Sequence, residues 1–335
     1  MNIIFVLFLI IIALSLRPSR RGQFNCAYLS LENTTAFRGI LAVTIVLHHI
    51  AEKISGAVLF QQLVHTGYMI VALFFFLSGY GLIVQYKKKG EAYFKGFWKK
   101  RILYLVLIYI LVSLAYYPFH CWRGKEMGWP AIYDSLVNGH TIATNSWYII
   151  VQIAFYIILW TSFQFSKNLM KVFGWVTTFT TILNIALVAS PYGSVWYISN
   201  YAFPLGIIWA IKEQDWLESI QKHYWLALSA CLFVFGVSSA LHGTIARMVS
   251  SCAITAFIII GLMKINIRRH IWNNLGNISL DIYLLHALAY MFLRSDAINI
   301  SNDVLWTIGT LILTYVLARA GHLISSNINL CLKKR

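Results

Sequence analysis

Long apolar runs, separated by short clusters of charge, recur along the whole chain. Runs of this length match the hydrocarbon thickness of a bilayer and predict spanning helices. They fall near 2–16, 36–52, 66–85, 102–119, 147–165, 172–190, 195–211, 224–240, 246–263, 276–293 and 304–322. The expected fold is all-α, a polytopic transmembrane helix bundle of about eleven spans. The longest connections, 120–146 and 87–100, are too short to hold a soluble domain. No internal repeat is evident.

The basic residues give this pattern a direction. One set of alternating connections would hold Arg17, Arg20, Arg21, Lys87, Lys88, Lys89, Lys95, Lys99, Lys100, Arg101, Lys167, Lys171, Lys212, Lys222, Lys264, Arg268, Arg269, Lys333, Lys334 and Arg335. The other would hold Lys53, Arg123, Lys125, Arg247 and Arg294. Cationic loops stay on the cytoplasmic side, so the expected orientation is N-outside and C-inside. Composition agrees: 59% of residues are hydrophobic and 11% charged, against about 25% charged in soluble domains. The net charge of +16 is explained by orientation on anionic membrane lipids, with no nucleic acid required.

The first run, Asn2 to Leu16, carries its positive charges after the apolar stretch. That order fits a retained span better than a cleaved leader. Residues 1–30 then form an extra N-terminal span and basic linker, and 31–335 the main membrane domain. Cys26, Cys121, Cys231, Cys252 and Cys331 show no paired spacing, so neither a disulfide framework nor a metal site is expected.

Chemistry enters with Arg38 and His49, eleven positions apart on one apolar run. At the helical rise they are separated by roughly 16 Å along the axis. Ionisable residues within a span are expensive to keep and mark functional sites. Imidazole is suited to proton transfer near neutral pH. A packed histidine donating to a carbonyl is the alternative. His48 is adjacent and chemically equivalent, and Glu52 follows one turn on.

Lys87 to Arg101 holds seven cations, one carboxylate, and Tyr93, Phe94, Phe97 and Trp98. Cations beside aromatics suit a phosphorylated, adenine-bearing ligand. They equally suit an anchor on anionic lipid. Asp281 and His286 share a later span, five positions apart; each is expected to face the interior and meet a different helix.

These residues together resemble the membrane acyltransferase-3 family, which includes many bacterial surface-polysaccharide O-acetyltransferases. Phe37-Arg38-Gly39 through His49 is similar to the family's arginine, ten residues, histidine motif. Phe74-Phe75-Phe76-Leu77-Ser78-Gly79-Tyr80 resembles its Phe-rich run. Lys99-Lys100-Arg101, Trp147-Tyr148, Phe203-Pro204-Leu205-Gly206 and Ile278 to His286 resemble later motifs in order, across about 31–320. Ala72 and Leu73 replace the acidic residue usual before the Phe-rich run. Tyr104 and Leu107 stand where the basic motif often has a second arginine and a proline.

The resemblance implies an integral membrane O-acyltransferase of the bacterial cytoplasmic (inner) membrane. An acyl group, most simply acetyl, would pass from cytoplasmic acetyl-CoA, a co-substrate and not a resident cofactor, to a hydroxyl of an extracytoplasmic or lipid-linked glycan. His49 would act as general base or acyl carrier, and Arg38 would neutralise donor phosphate. Lys99, Lys100 and Arg101 would bind the donor. Trp147, Tyr148 and His286 would bind the acceptor; no metal is implied. A transporter or flippase for a lipid-linked sugar is the alternative. A glycan polymerase would need a larger outer loop, and a purely structural subunit gives no reason for Arg38 and His49.

Overall fold

Apolar runs become helices because hydrocarbon offers a backbone no hydrogen-bond partners. The computed structural model describes residues 1–125 and 127–334; Arg335, counted above among the basic residues, lies outside them. In chain order the elements are α1 (Asn2–Ser15), β1 (Leu16–Pro18), α2 (Leu31–Ala51), α3 (Val58–Gln61), α4 (Gly67–Lys89), α5 (Tyr104–Trp122), α6 (Trp129–Val137), α7 (Trp147–Phe165), α8 (Leu169–Ala189), α9 (Ala202–Lys222), α10 (Tyr224–Ala240), α11 (Thr244–Leu262), β2 (Ile265–Ile267), α12 (Arg269–Asn277), α13 (Ser279–Leu293) and α14 (Asp303–Lys334). A 3-10 turn occupies Gln62–His65, and a π-helical turn, Trp98–Leu103, leads into α5.

Each of the eleven expected stretches contains a helix, but they are not equivalent. Among the described residues, seven helical stretches are long and apolar enough to cross a membrane. α9 and α10 qualify only as a pair, bent by 101°, which makes eight at most. The polar half of α9, Lys212 to Lys222, is what a hydropathy window passes over. α1 and α13 have 14 and 15 residues, or about 21 and 22 Å of helix against a core of roughly 30 Å.

By internal contacts the chain forms two units, Met1–Ile70 with Gly261–Asn327, and Val71–Ile260 with Ile328–Arg335. In the first unit α2 is the centre. Ser30 caps it, its hydroxyl accepting from Asn33 N at 3.3 Å, with Glu32 favourably placed in the first turn. Most of α2 is then buried against α12, α13 and the turn at 62–65. The approach to α12 is made at glycines. A Cβ on Gly39 would lie 2.2 Å from the Trp272 carbonyl oxygen, and one on Gly276 1.8 Å from that of Thr35. β1 pairs antiparallel with β2, Leu16 opposite Ile267, and so ties the N-terminal segment to the return of the chain after α11. The short ribbon has no periodicity long enough to read from sequence.

The second unit repeats the device. A Cβ on Gly79 of α4 would lie 2.3 Å from the Phe203 carbonyl oxygen, and one on Gly206 of α9 2.1 Å from that of Phe76. The motif glycines thus mark where two helices touch. Around them Phe75, Phe76, Phe155 and Phe203 are fully buried. Phe155 stacks on Phe203 at 4.4 Å, and Phe75 meets Phe155 edge-on at 4.9 Å. The outer sides of α5, α8 and α10 carry exposed apolar side chains such as Leu114, Ile185 and Phe233, as lipid contact demands.

A methyl group at either close approach must push two backbones apart. Gly39→Ala or Gly276→Ala should therefore lose about 1–3 kcal/mol, read as a lower thermal midpoint in detergent. Gly174→Ala is the control: nothing lies within 4 Å of a Cβ there, and its midpoint should hold or rise slightly, alanine being the better helix former.

Candidate active site

The C-terminal turn of α2 carries two imidazoles and a carboxylate. His49 is largely buried, with 14% of its side chain exposed. Its Nδ1 lies 2.9 Å from Glu52 Oε2. A carboxylate accepts, so Nδ1 donates and Nε2 keeps its lone pair. His286, on α13, is fully buried and stacks on the His49 ring, with centroids 5.0 Å apart and planes 17° apart. Its Nδ1 donates to the Tyr283 carbonyl at 2.6 Å, and its Nε2 has no hydrogen-bond partner among the described residues. His48 meets the His49 ring edge-on at 4.6 Å and donates from Nδ1 to the Leu63 carbonyl at 2.9 Å. Glu52 sits just beyond the span. Burial raises its carboxyl, but the His49 hydrogen bond and the charges of His49, His48 and Lys53 outweigh it and hold the group below the ordinary carboxylate range.

The other expected residues divide between the two units. Arg38 is half-buried near the start of α2, its Nη2 donating to Thr35 Oγ1 at 3.1 Å. It does not join the imidazole cluster, being three helical turns away. In the second unit Lys99 is half-buried and Lys100 exposed. Arg101 instead turns inward, where its guanidinium faces Tyr93 and Tyr156. The three cations are therefore not one surface patch. Trp147 and Tyr148 open α7. Trp147 lies 6.0 Å from Trp196, and Tyr148 stacks on Phe75 at 5.1 Å.

Several polar residues of these interiors are invisible to motif reading. Gln152 is buried and donates to Ser78 Oγ at 2.9 Å, linking α7 to α4, and it accepts from the Tyr148 hydroxyl at 3.4 Å. The Tyr80 hydroxyl donates to Glu213 at 2.8 Å. Asp281 pairs with His322 of α14 at 3.1 Å. Asp281 and His286 thus face the interior and meet different helices. A lone polar residue on an apolar run, the signal that marks Arg38 and His49, was also present at Gln152 and His322.

A family model described as an acyltransferase domain, of the acyltransferase-3 type, matches residues 32–320. Neither the curated proteins nor the solved structures contain a match.

The Gln152–Ser78 bond should be measurable as a coupling. A double-mutant cycle of Gln152→Leu with Ser78→Ala is expected to give about 0.5–1.5 kcal/mol, the range of interhelical hydrogen bonds in membranes. Additive thermal midpoints would show that the contact contributes nothing.

Proposed function

The chain belongs to the membrane acyltransferase-3 family, and from that premise we propose that it carries an acetyl group from cytoplasmic acetyl-CoA to a hydroxyl of an extracytoplasmic or lipid-linked glycan, in a bacterial cytoplasmic membrane. The observation that carries this reading is the His49 imidazole, held by Glu52 with Nε2 open and backed by the His286 ring. A sugar hydroxyl is too weak an acid to attack a thioester unaided. His49 Nε2 takes the hydroxyl proton as the oxygen bonds to the acyl carbon. The carbon–sulfur bond then breaks, and the imidazolium returns the proton to the departing thiolate. Acceptor ester and free CoA leave, and His49 is neutral again.

The remaining residues bind and orient. His286 Nε2, buried without a protein partner, would accept from a second hydroxyl of the sugar. Arg38 would pair with donor phosphate in the charge-assisted geometry that guanidinium favours. Lys99 and Lys100 would attract the donor by long-range charge, whereas Arg101, facing two phenols, would contact it directly. Trp147 and Tyr148 would offer aromatic faces to a sugar ring.

His49→Ala should abolish transfer, by about a hundredfold or more, while insertion stays intact. Glycan acylation at the wild-type level in that variant, read by mass spectrometry, would refute the assignment. Arg38→Ala should weaken acetyl-CoA binding about tenfold, as expected for a lost charge-assisted bond; unchanged affinity in detergent removes Arg38 from the donor site. Replacing Lys99 and Lys100 by Gln should raise the apparent donor constant, and more so at low ionic strength. No change in that constant would leave them as lipid anchors.

A further inference from the structure

Glu52 closes α2 and has 38% of its side chain exposed. Its two oxygens have different neighbours. Oε2 accepts from His49 Nδ1 at 2.9 Å, whereas Oε1 lies 3.4 Å from His48 Nε2. The His48 ring is fixed from its other side, because the Leu63 carbonyl can only accept and Nδ1 must carry a hydrogen. His48 Nε2 therefore faces Glu52 with a proton only when the ring is a cation. As the neutral ring it presents a lone pair and leaves the carboxylate to His49. Gly67 is the recess for this ring: a Cβ there would fall 2.4 Å from His48 Nε2. The stacked and fully buried His286 covers one face of the His49 ring and stops it from tilting away. One imidazole is thus held in plane by a ring and in tautomer by a carboxylate.

We propose that Glu52 is a positioning residue for acyl transfer. It keeps the hydrogen on His49 Nδ1, commits Nε2 as the nitrogen that takes the hydroxyl proton, and stabilises the imidazolium formed as the ester bond is made. The inference rests on the role given to His49 above. Glu52 needs no contact with substrate for this, since an acceptor on one ring nitrogen sets the tautomer and basicity of the other. The charged and titratable groups near the pair are His48 and Lys53 beside Glu52, His65 from the turn at 62–65, His286 and Tyr290 from α13, and Arg294 just past its end, on the Lys53 carbonyl. None of them is a second carboxylate that would take over if Glu52 were lost.

The test compares the unmodified protein with Glu52→Gln, Glu52→Asp and His49→Ala in membrane vesicles that contain the host glycan, with isotopically labelled acetyl-CoA as donor. Glu52→Gln should lower kcat about a hundredfold with KM for acetyl-CoA within about twofold. Glu52→Asp should recover at least about a tenth of the activity, since the carboxylate returns one methylene short. Nitrogen NMR of labelled histidine in the unmodified protein should show His49 as the Nδ1–H tautomer. Unchanged kcat in Glu52→Gln, with His49→Ala inactive, would overturn the role of Glu52 and leave that of His49 standing. Activity in His49→Ala would overturn the reading beneath both. Should Glu52→Gln fail to insert, the tautomer decides alone, and an Nε2–H ring at His49 defeats the proposal. The donor atoms of His48, His49 and Glu52 lie within 4.8 Å of one another. Activity lost to a chelator and restored by zinc would also overturn it, by making the cluster a cation site.

Discussion

The tight passage of one backbone across another at a glycine is the constraint on which the remaining architecture depends. Between helices in hydrocarbon there is little hydrophobic drive, because lipid is as apolar as a leucine. Association then depends on contact distance, and contact distance on the smallest side chain at the crossing. Gly79 and Gly206 supply it for α4 and α9, and Gly39 and Gly276 give α2 the same close approach to the short polar helix α12. Each unit uses one such pair. Three of these four glycines fall inside the short motifs that relate the chain to its family, and Gly276 precedes the last of those motifs by two positions. Those motifs therefore encode packing as much as chemistry.

Burial of α2 has a chemical consequence. A helix enclosed on most sides leaves its polar side chains no water to turn to, so they must find partners in the protein. His48 finds the Leu63 carbonyl, His49 finds Glu52, and His286 of the neighbouring helix finds the Tyr283 carbonyl. In each ring the partner is an acceptor on Nδ1. Three imidazoles thereby carry the hydrogen on Nδ1 and, when neutral, a lone pair on Nε2, a regularity that follows from having carbonyls and one carboxylate as the Nδ1 partners. Preorganisation of this kind lets a weak base act without first rearranging.

Much of this was legible in advance, for stated reasons. Helical class and membrane residence follow from run length alone. Arg38 and His49 stand out because charge in an apolar run is costly, and the interior direction of Asp281 and His286 follows from the same cost. The eleven apolar stretches became helices, yet only seven, or eight with the bent pair, have the length and apolarity to cross. The break at His223 and the shortness of α1 and α13 lie below what a hydropathy window resolves. The strand pairing of Leu16–Pro18 with Ile265–Ile267 joins positions some 250 apart, and three residues carry no periodic signature.

The sequence by itself determined which candidate residues stand out and which apolar run each occupies, because composition and spacing act within one helical turn or one such run. It left His48 and His49 equal, and treated Lys99, Lys100 and Arg101 as one group. Only the tertiary structure separated them. His49 stacks on His286 while His48 is pinned to Leu63, and Arg101 turns to Tyr93 and Tyr156 while Lys100 stays exposed. The direction of a side chain depends on the helix packed beside it, and that neighbour lies far away along the chain.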